Sequence, residues 1–260
     1  MPKQRVLGKD EIDPRREKES FFFDFEKACD YLKRDLEKID KTNDSKLQLI
    51  YMFCLIDTMA QEEANYPTRE PRSKEIFCNF VLKYQKQCDY LECVEPVTLY
   101  YRVEDLIEKE IPFDFVPKGG IKMVKDSLHK GKAEEIIFYI EKEKGKRFAE
   151  RKAEEHKLIS LLYLMRSKAV HEMSGLGVGE NFPELKKYEE PYYDGTYRGY
   201  GLDGFVVRDY VEILVIPNVF IRRILEDCVN GYLTECRKAH RVPFSNNHML
   251  RKFSLSWYDN

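Results

Sequence analysis

No two cysteines in this chain have the C-x-x-C spacing of a zinc knuckle or a redox pair, and their total, seven, is odd. Most of them sit in apolar, helix-like sequence, which argues against a disulfide framework and for reduced thiols. The first residues, MPKQRVLGKDEIDPRREKE, contain no apolar stretch of the kind a signal peptide needs. The longest nearly uninterrupted apolar run, Leu47 to Ile56, falls far short of the roughly 20 residues that span a bilayer. A soluble cytoplasmic protein with no membrane partner is therefore expected. Charge of one sign is lacking too. The formal net charge is -2, so any contact with nucleic acid must come from a local basic patch. Internal repeats, low-complexity tracts and ligand clusters with zinc or magnesium spacing are absent as well, so neither a metal nor another cofactor is expected.

What is present suits a packed core. Hydrophobic residues make up 43% of the 260, charged residues 35%, and there are 17 Tyr and 16 Phe. Size alone allows one large domain or two small ones. Residues 1–19 are polar and broken by Pro14, and read as an arm without fixed structure. Ser20 is a plausible cap for a first helix through Phe25, Leu32 and Leu36. Asp44 or Ser45 can cap a second, KLQLIYMFCLIDTMAQEEA, apolar enough to be central, on which Asp57 stands out as a potentially buried acid. Ser73 opens a third. The stretch VTLYYRVEDLIEKE reads as a short strand and then a helix. From Lys132 helical sequence resumes, broken once, at Gly145, as two helices or one kinked helix closing at Gly175. Residues 175–204 hold seven of the thirteen glycines and five tyrosines, and read as a long loop, functional or mobile. FVVRDYVEILVIP has the β-branched content of a strand, and Pro217 suits the start of a last helix. The tail, 237–260, is expected to pack on the domain through Phe244, Phe253 and Trp257.

The segment Leu158 to Gly175, LISLLYLMRSKAVHEMSG, concentrates the chemistry. A helix apolar on every side belongs in a core or an interface. This one delivers Arg166 and, five residues on, His171, and burying either is unfavourable without a partner. The plain structural alternative is that Arg166 pairs with an acid such as Asp57 or Glu172 and that His171 caps a helix end.

The string Arg166-Ser-Lys-Ala-Val-His171 has the form R-x4-H at the end of an apolar helix. It resembles the signature of the HEPN superfamily (higher eukaryotes and prokaryotes nucleotide-binding), and LLYLMRSKAVHEMSG is similar to that family's "LxYxxRNxxVHE" form. LIYMFCLIDTMA resembles the long helix that packs on the motif helix, and EILVIPNVFIRRILEDCVNGYL the end of many bacterial members. The resemblance spans residues 20–236 and is sharp from Arg166 to Glu172. It implies a mainly α fold: a HEPN-like helical bundle with a small β element and a long Gly/Tyr-rich loop. It further implies a metal-independent endoribonuclease of a bacterial toxin or antiviral-defence system. RNA would be the substrate, and an antitoxin or other defence protein a candidate partner. The alternative within the same resemblance is a non-catalytic scaffold that binds RNA, a nucleotide or a protein. One position departs from the pattern. Family nucleases usually carry Asn, Asp or His after the arginine, and Ser167 can orient an imidazole or contact phosphate but cannot act as a second base.

The side chains suit RNA cleavage by internal 2′-hydroxyl attack. Histidine titrates near neutrality and can accept or donate the proton. Arginine offers a permanent charge and forked donors matched to phosphate oxygens. Five residues at about 100° each set Arg166 and His171 roughly 140° apart around the helix, an awkward spread for a single phosphate. The family resolves this by pairing two motif helices across a two-fold axis, so the resemblance implies a homodimer. Arg166, His171 and Ser167 are the candidate catalytic residues. Lys168, Glu172, Arg222 and Arg223 are candidates for holding substrate, with surface lysine and salt-bridging glutamate as the plain readings of the first two. Arg237 to Arg241 offers further backbone contacts. The run Lys142 to Lys152, laced with glutamates, reads as a solvated face, and the histidines at 129, 156, 240 and 248 as surface residues.

Overall fold

Helical periodicity is realised where the apolar spacing is regular and broken where a glycine or a tertiary contact intervenes. The computed structural model describes residues 14–64, 73–86, 89–103, 122–124, 130–172, 188–202 and 205–244. Over these the chain is mainly helical, with eight helices and one small sheet. In order they are α1 (Pro14–Lys41), α2 (Ser45–Glu63), α3 (Ser73–Tyr84), α4 (Pro96–Val103), β1 (Lys122–Met123), α5 (Lys130–Lys144), α6 (Lys146–Glu155), α7 (Leu158–Glu172), β2 (Tyr192–Leu202), β3 (Phe205–Val215) and α8 (Asn218–Lys238). No described helix is long and apolar enough to cross a membrane. The chain divides into two units: 1–38 with 232–260, and 39–231. The division falls inside α1 and again inside α8.

In the larger unit α2, α3 and α7 pack on one another. Asp44 caps α2, its carboxylate accepting from Lys46 N–H at 2.8 Å and Leu47 N–H at 3.1 Å. Phe53 of α2 meets Phe77 of α3, and Phe77 meets Tyr163 of α7, at ring-centroid separations of 6.2 and 5.7 Å. Met52, Met59, Leu162 and Met165 are buried among them, each stabilising the fold by about 1.5–3 kcal/mol. Gly145 separates α5 from α6 at φ 85, in the left-handed region where glycine carries no Cβ penalty. Its N–H closes α5 on Glu141 and its carbonyl opens α6 through Phe148 and Ala149.

Four local expectations change. Helix α1 starts at Pro14, ahead of Ser20, with proline at the first helical position where its missing N–H costs nothing. The stretch expected as a strand at 97 is helix α4, because Pro96 and the Glu95 side chain supply a helix start (below). A second break follows α6 at His156, where Val94 and Lys157 form an isolated β-bridge. Finally, part of the expected loop, Tyr192–Leu202, is strand. β2 pairs antiparallel with β3 from Tyr192↔Val215 to Leu202↔Phe205, and β1 joins its other edge through Lys122↔Tyr193 and Met123↔Tyr192. Gly175 lies outside the described residues.

The smaller unit contains most of α1 and the end of α8. Phe25, Leu32, Tyr232 and Cys236 are buried. Arg237 lies over the Phe25 ring, 5.1 Å from its centroid, and Arg241 over Tyr232 at 5.5 Å. Phe244 packs on Tyr232 at 5.6 Å; Phe253 and Trp257 lie outside the described residues.

Candidate functional site

The first two N–H groups of helix α7 find partners outside the helix. The N–H groups of Leu158 and Ile159 reach the carbonyls of Cys93 at 3.1 Å and Leu91 at 2.8 Å, so the segment before α4 closes the end that a side-chain cap would otherwise have to close. From there the helix runs through the core, and Arg166 projects from its C-terminal half to Asp57 of α2. The guanidinium donates from Nη2 to Asp57 Oδ2. The two side chains retain only 12% and 14% of their exposure. Tyr163, one turn earlier on α7, lies with its ring centroid 5.8 Å from the Arg166 guanidinium carbon, a cation–π contact. Cys54 sits one turn before Asp57 on α2. Burial pushes its thiol up, and the nearby Arg166 charge partly offsets this.

Asp57 and Arg166 thus meet as the plain structural alternative allowed. Ser167 and Lys168 follow on α7, both half-buried, while Leu164 is 43% exposed on the same helix. The backbone of His171 and Glu172 completes the helix, and their side chains lie outside the described residues. The remaining candidates are held elsewhere. Arg222 grips Asp40 with two parallel bonds, Nε–Oδ1 at 2.9 Å and Nη2–Oδ2 at 3.0 Å, and pairs with Glu226 at 3.2 Å. Arg223 pairs with Glu190 and, at 3.7 Å, with Glu189. None of these ion pairs includes a residue of α7. The run from Lys142 to Lys152 carries exposed helix pairs such as Lys146–Glu150, as a solvated face does.

A second polar node was not foreseen from sequence. Glu95 is 0% exposed. Its carboxylate accepts from Val97 N–H at 2.8 Å and Thr98 N–H at 2.7 Å, capping α4, and from the Tyr193 hydroxyl of β2. Its own N–H donates to the His156 carbonyl at 2.8 Å. His156, expected on the surface, is 7% exposed. Burial lowers its pKa from the ordinary 6.5, against a hydrogen bond between Nδ1 and the Lys152 carbonyl that raises it. The signal available in sequence was Pro96, which favours the first helical position and so makes residue 95 a cap. His240, by contrast, is exposed just beyond the end of α8 and meets Phe21 edge to face at a centroid separation of 5.3 Å. His129 and His248 lie outside the described residues.

Among the described residues no group of three or more His, Cys, Asp and Glu could hold a metal ion. The strongest chemical feature is therefore a cation fixed by a carboxylate in the C-terminal half of a core helix. No protein-family model, no curated protein and no solved structure matches the chain.

Proposed function

We propose that the chain is a HEPN-like endoribonuclease of a bacterial toxin or antiviral-defence system. It acts as a homodimer and cleaves RNA by internal 2′-hydroxyl attack without a metal. The observation that carries this reading is the position of Arg166. A buried helix brings a permanent cation to its C-terminal half, where Ser167 and Lys168 are only half-buried and Leu164 is exposed. In this reading Arg166 holds the phosphate and stabilises the charge of the phosphorane through its forked donors. His171, in the last turn, exchanges the proton of the 2′-hydroxyl or of the leaving oxygen. The C-terminal dipole of α7 favours its charged form. Ser167 supports the imidazole or the phosphate. A second copy contributes the same residues, which relieves the roughly 140° spread on one helix.

The test is single-stranded RNA incubated with the protein in excess chelator, comparing wild type with His171→Ala and Arg166→Ala. Cleavage leaving 2′,3′-cyclic phosphate ends is expected from wild type. Loss of the proton-transfer group should slow it by about 100-fold or more. RNA left intact by the wild-type protein would overturn the nuclease reading.

A second reading has one observation in its favour. The Arg166–Asp57 pair already matches the guanidinium charge within a single chain, as a structural ion pair does. In that case the protein is a HEPN-like scaffold that binds RNA, a nucleotide or a protein. Binding of RNA by both wild type and His171→Ala, with no cleavage by either, identifies it.

A further inference from the structure

We infer that Asp57 is a positioning residue that restrains Arg166, competing with phosphate for the guanidinium and so setting how tightly the protein grips RNA. The inference rests on the RNA-directed reading above and adds to it a built-in regulator of the same site. Three features of the pair support it. Asp57 and Arg166 come from different helices, α2 and α7, so the contact is a tertiary one fixed by the packing of those helices. Both side chains are largely shielded, and a shielded pair is screened by salt much less than a surface one. The Tyr163 ring lies alongside the guanidinium as well, so carboxylate and ring together aim the fork.

Competition follows from the chemistry of the two anions. A carboxylate and a phosphate offer the fork the same arrangement of acceptor oxygens. Phosphate must therefore take at least one N–H from Asp57 or bind a guanidinium whose charge is already partly matched. Asparagine at position 57 keeps the side-chain shape and an acceptor oxygen, so it still orients Arg166, but it removes the opposing charge.

The probe is a fluorescein-labelled single-stranded 20-mer with 2′-O-methyl riboses, which cannot be cleaved by internal attack. Its binding is followed by anisotropy in the presence of chelator. Asp57→Asn should bind it about three- to tenfold more tightly than wild type, the effect of one partly buried charge pair. The gain should vanish when Arg166→Ala is added, and Asp57→Glu should return affinity to the wild-type level. A purely structural aspartate would lower the melting temperature and leave these affinities in their wild-type order. Unchanged or weaker binding by Asp57→Asn overturns the inference, as does tightening that persists without Arg166. Asp57→Ser, smaller and uncharged, takes its place if the asparagine variant does not fold. The two proposals fail separately. If Arg166→Ala alone binds the 20-mer as wild type does, the RNA-directed reading fails. If Arg166→Ala loses binding and Asp57→Asn does not alter it, only the restraint is wrong.

Discussion

Two shielded carboxylates in the larger unit are used in opposite ways. Glu95 meets only neutral donors, two backbone N–H groups and the Tyr193 hydroxyl. Asp57 meets a permanent cation. The first arrangement fixes architecture: it starts α4, ties that helix to β2, and presents no cation to an incoming anion. The second holds a charge in place in the C-terminal half of a helix, beside polar residues that remain half-buried. Under the proposed function only the second of these shielded carboxylates would belong to a site. What separates the two is whether the partner could serve an incoming anion equally well.

The largest effect that would sharpen this contrast is expected at the architectural node. Glu95→Ala removes a helix cap and the carboxylate that accepts from the buried Tyr193 hydroxyl, so it should destabilise the protein by about 3 kcal/mol in urea titration. A loss below 1 kcal/mol would erase the distinction between the nodes. Asp57→Ala should cost about 2 kcal/mol. That lies below the range for fully buried pairs, since both partners keep some solvent contact. Adding Arg166→Met should recover part of the loss, because the uncompensated cation is then gone. Tyr193→Phe, which deletes one of the three donors to Glu95, should cost about 1 kcal/mol in the same titration.

The smallest effect is a pH dependence. His156 is buried with its pKa lowered below the ordinary 6.5, so the unfolded chain takes up a proton more readily than the folded one. Stability from this group is complete above about pH 6.5 and falls as acid carries the pH towards the lower folded value. Melting temperatures measured between pH 8 and 5 should decline on the acid side, and the decline should be shallower in His156→Gln. An equal slope in both proteins would remove His156 from the account.

How much of this was legible in the sequence varied with the kind of signal. The boundaries of α2 and α3, the break at Gly145 and the strand ending at Val215 follow from local chemistry: Asp44 as a cap, Ser73 as a helix start, a glycine free to take positive φ, and a β-branched run. The Gly/Tyr stretch from Tyr192 did not announce a strand, because it has three glycines and a single β-branched residue, Thr196, and its partner, β3, supplies the pairing. Helix α4 was missed for the converse reason. Its Val, Thr and Tyr residues favour extended chain, and a capping carboxylate with an adjoining proline outweighs that preference. Asp57 and Arg166 could be named as a candidate pair, whereas Arg222 and Arg223 could not be assigned to Asp40 and Glu190 by any local rule.

The chain by itself determined that this protein would be mainly helical, that α2 and α7 would lie in its core, and that Arg166 would need company there. Those conclusions depend on apolar periodicity and on the cost of burying charge, both of which act over a few turns. Which carboxylate answers the arginine, and that Glu95 and His156 disappear from solvent, were decided by the tertiary structure alone. Such pairings join residues far apart along the chain, and only the packing of one helix against another brings them within hydrogen-bonding distance.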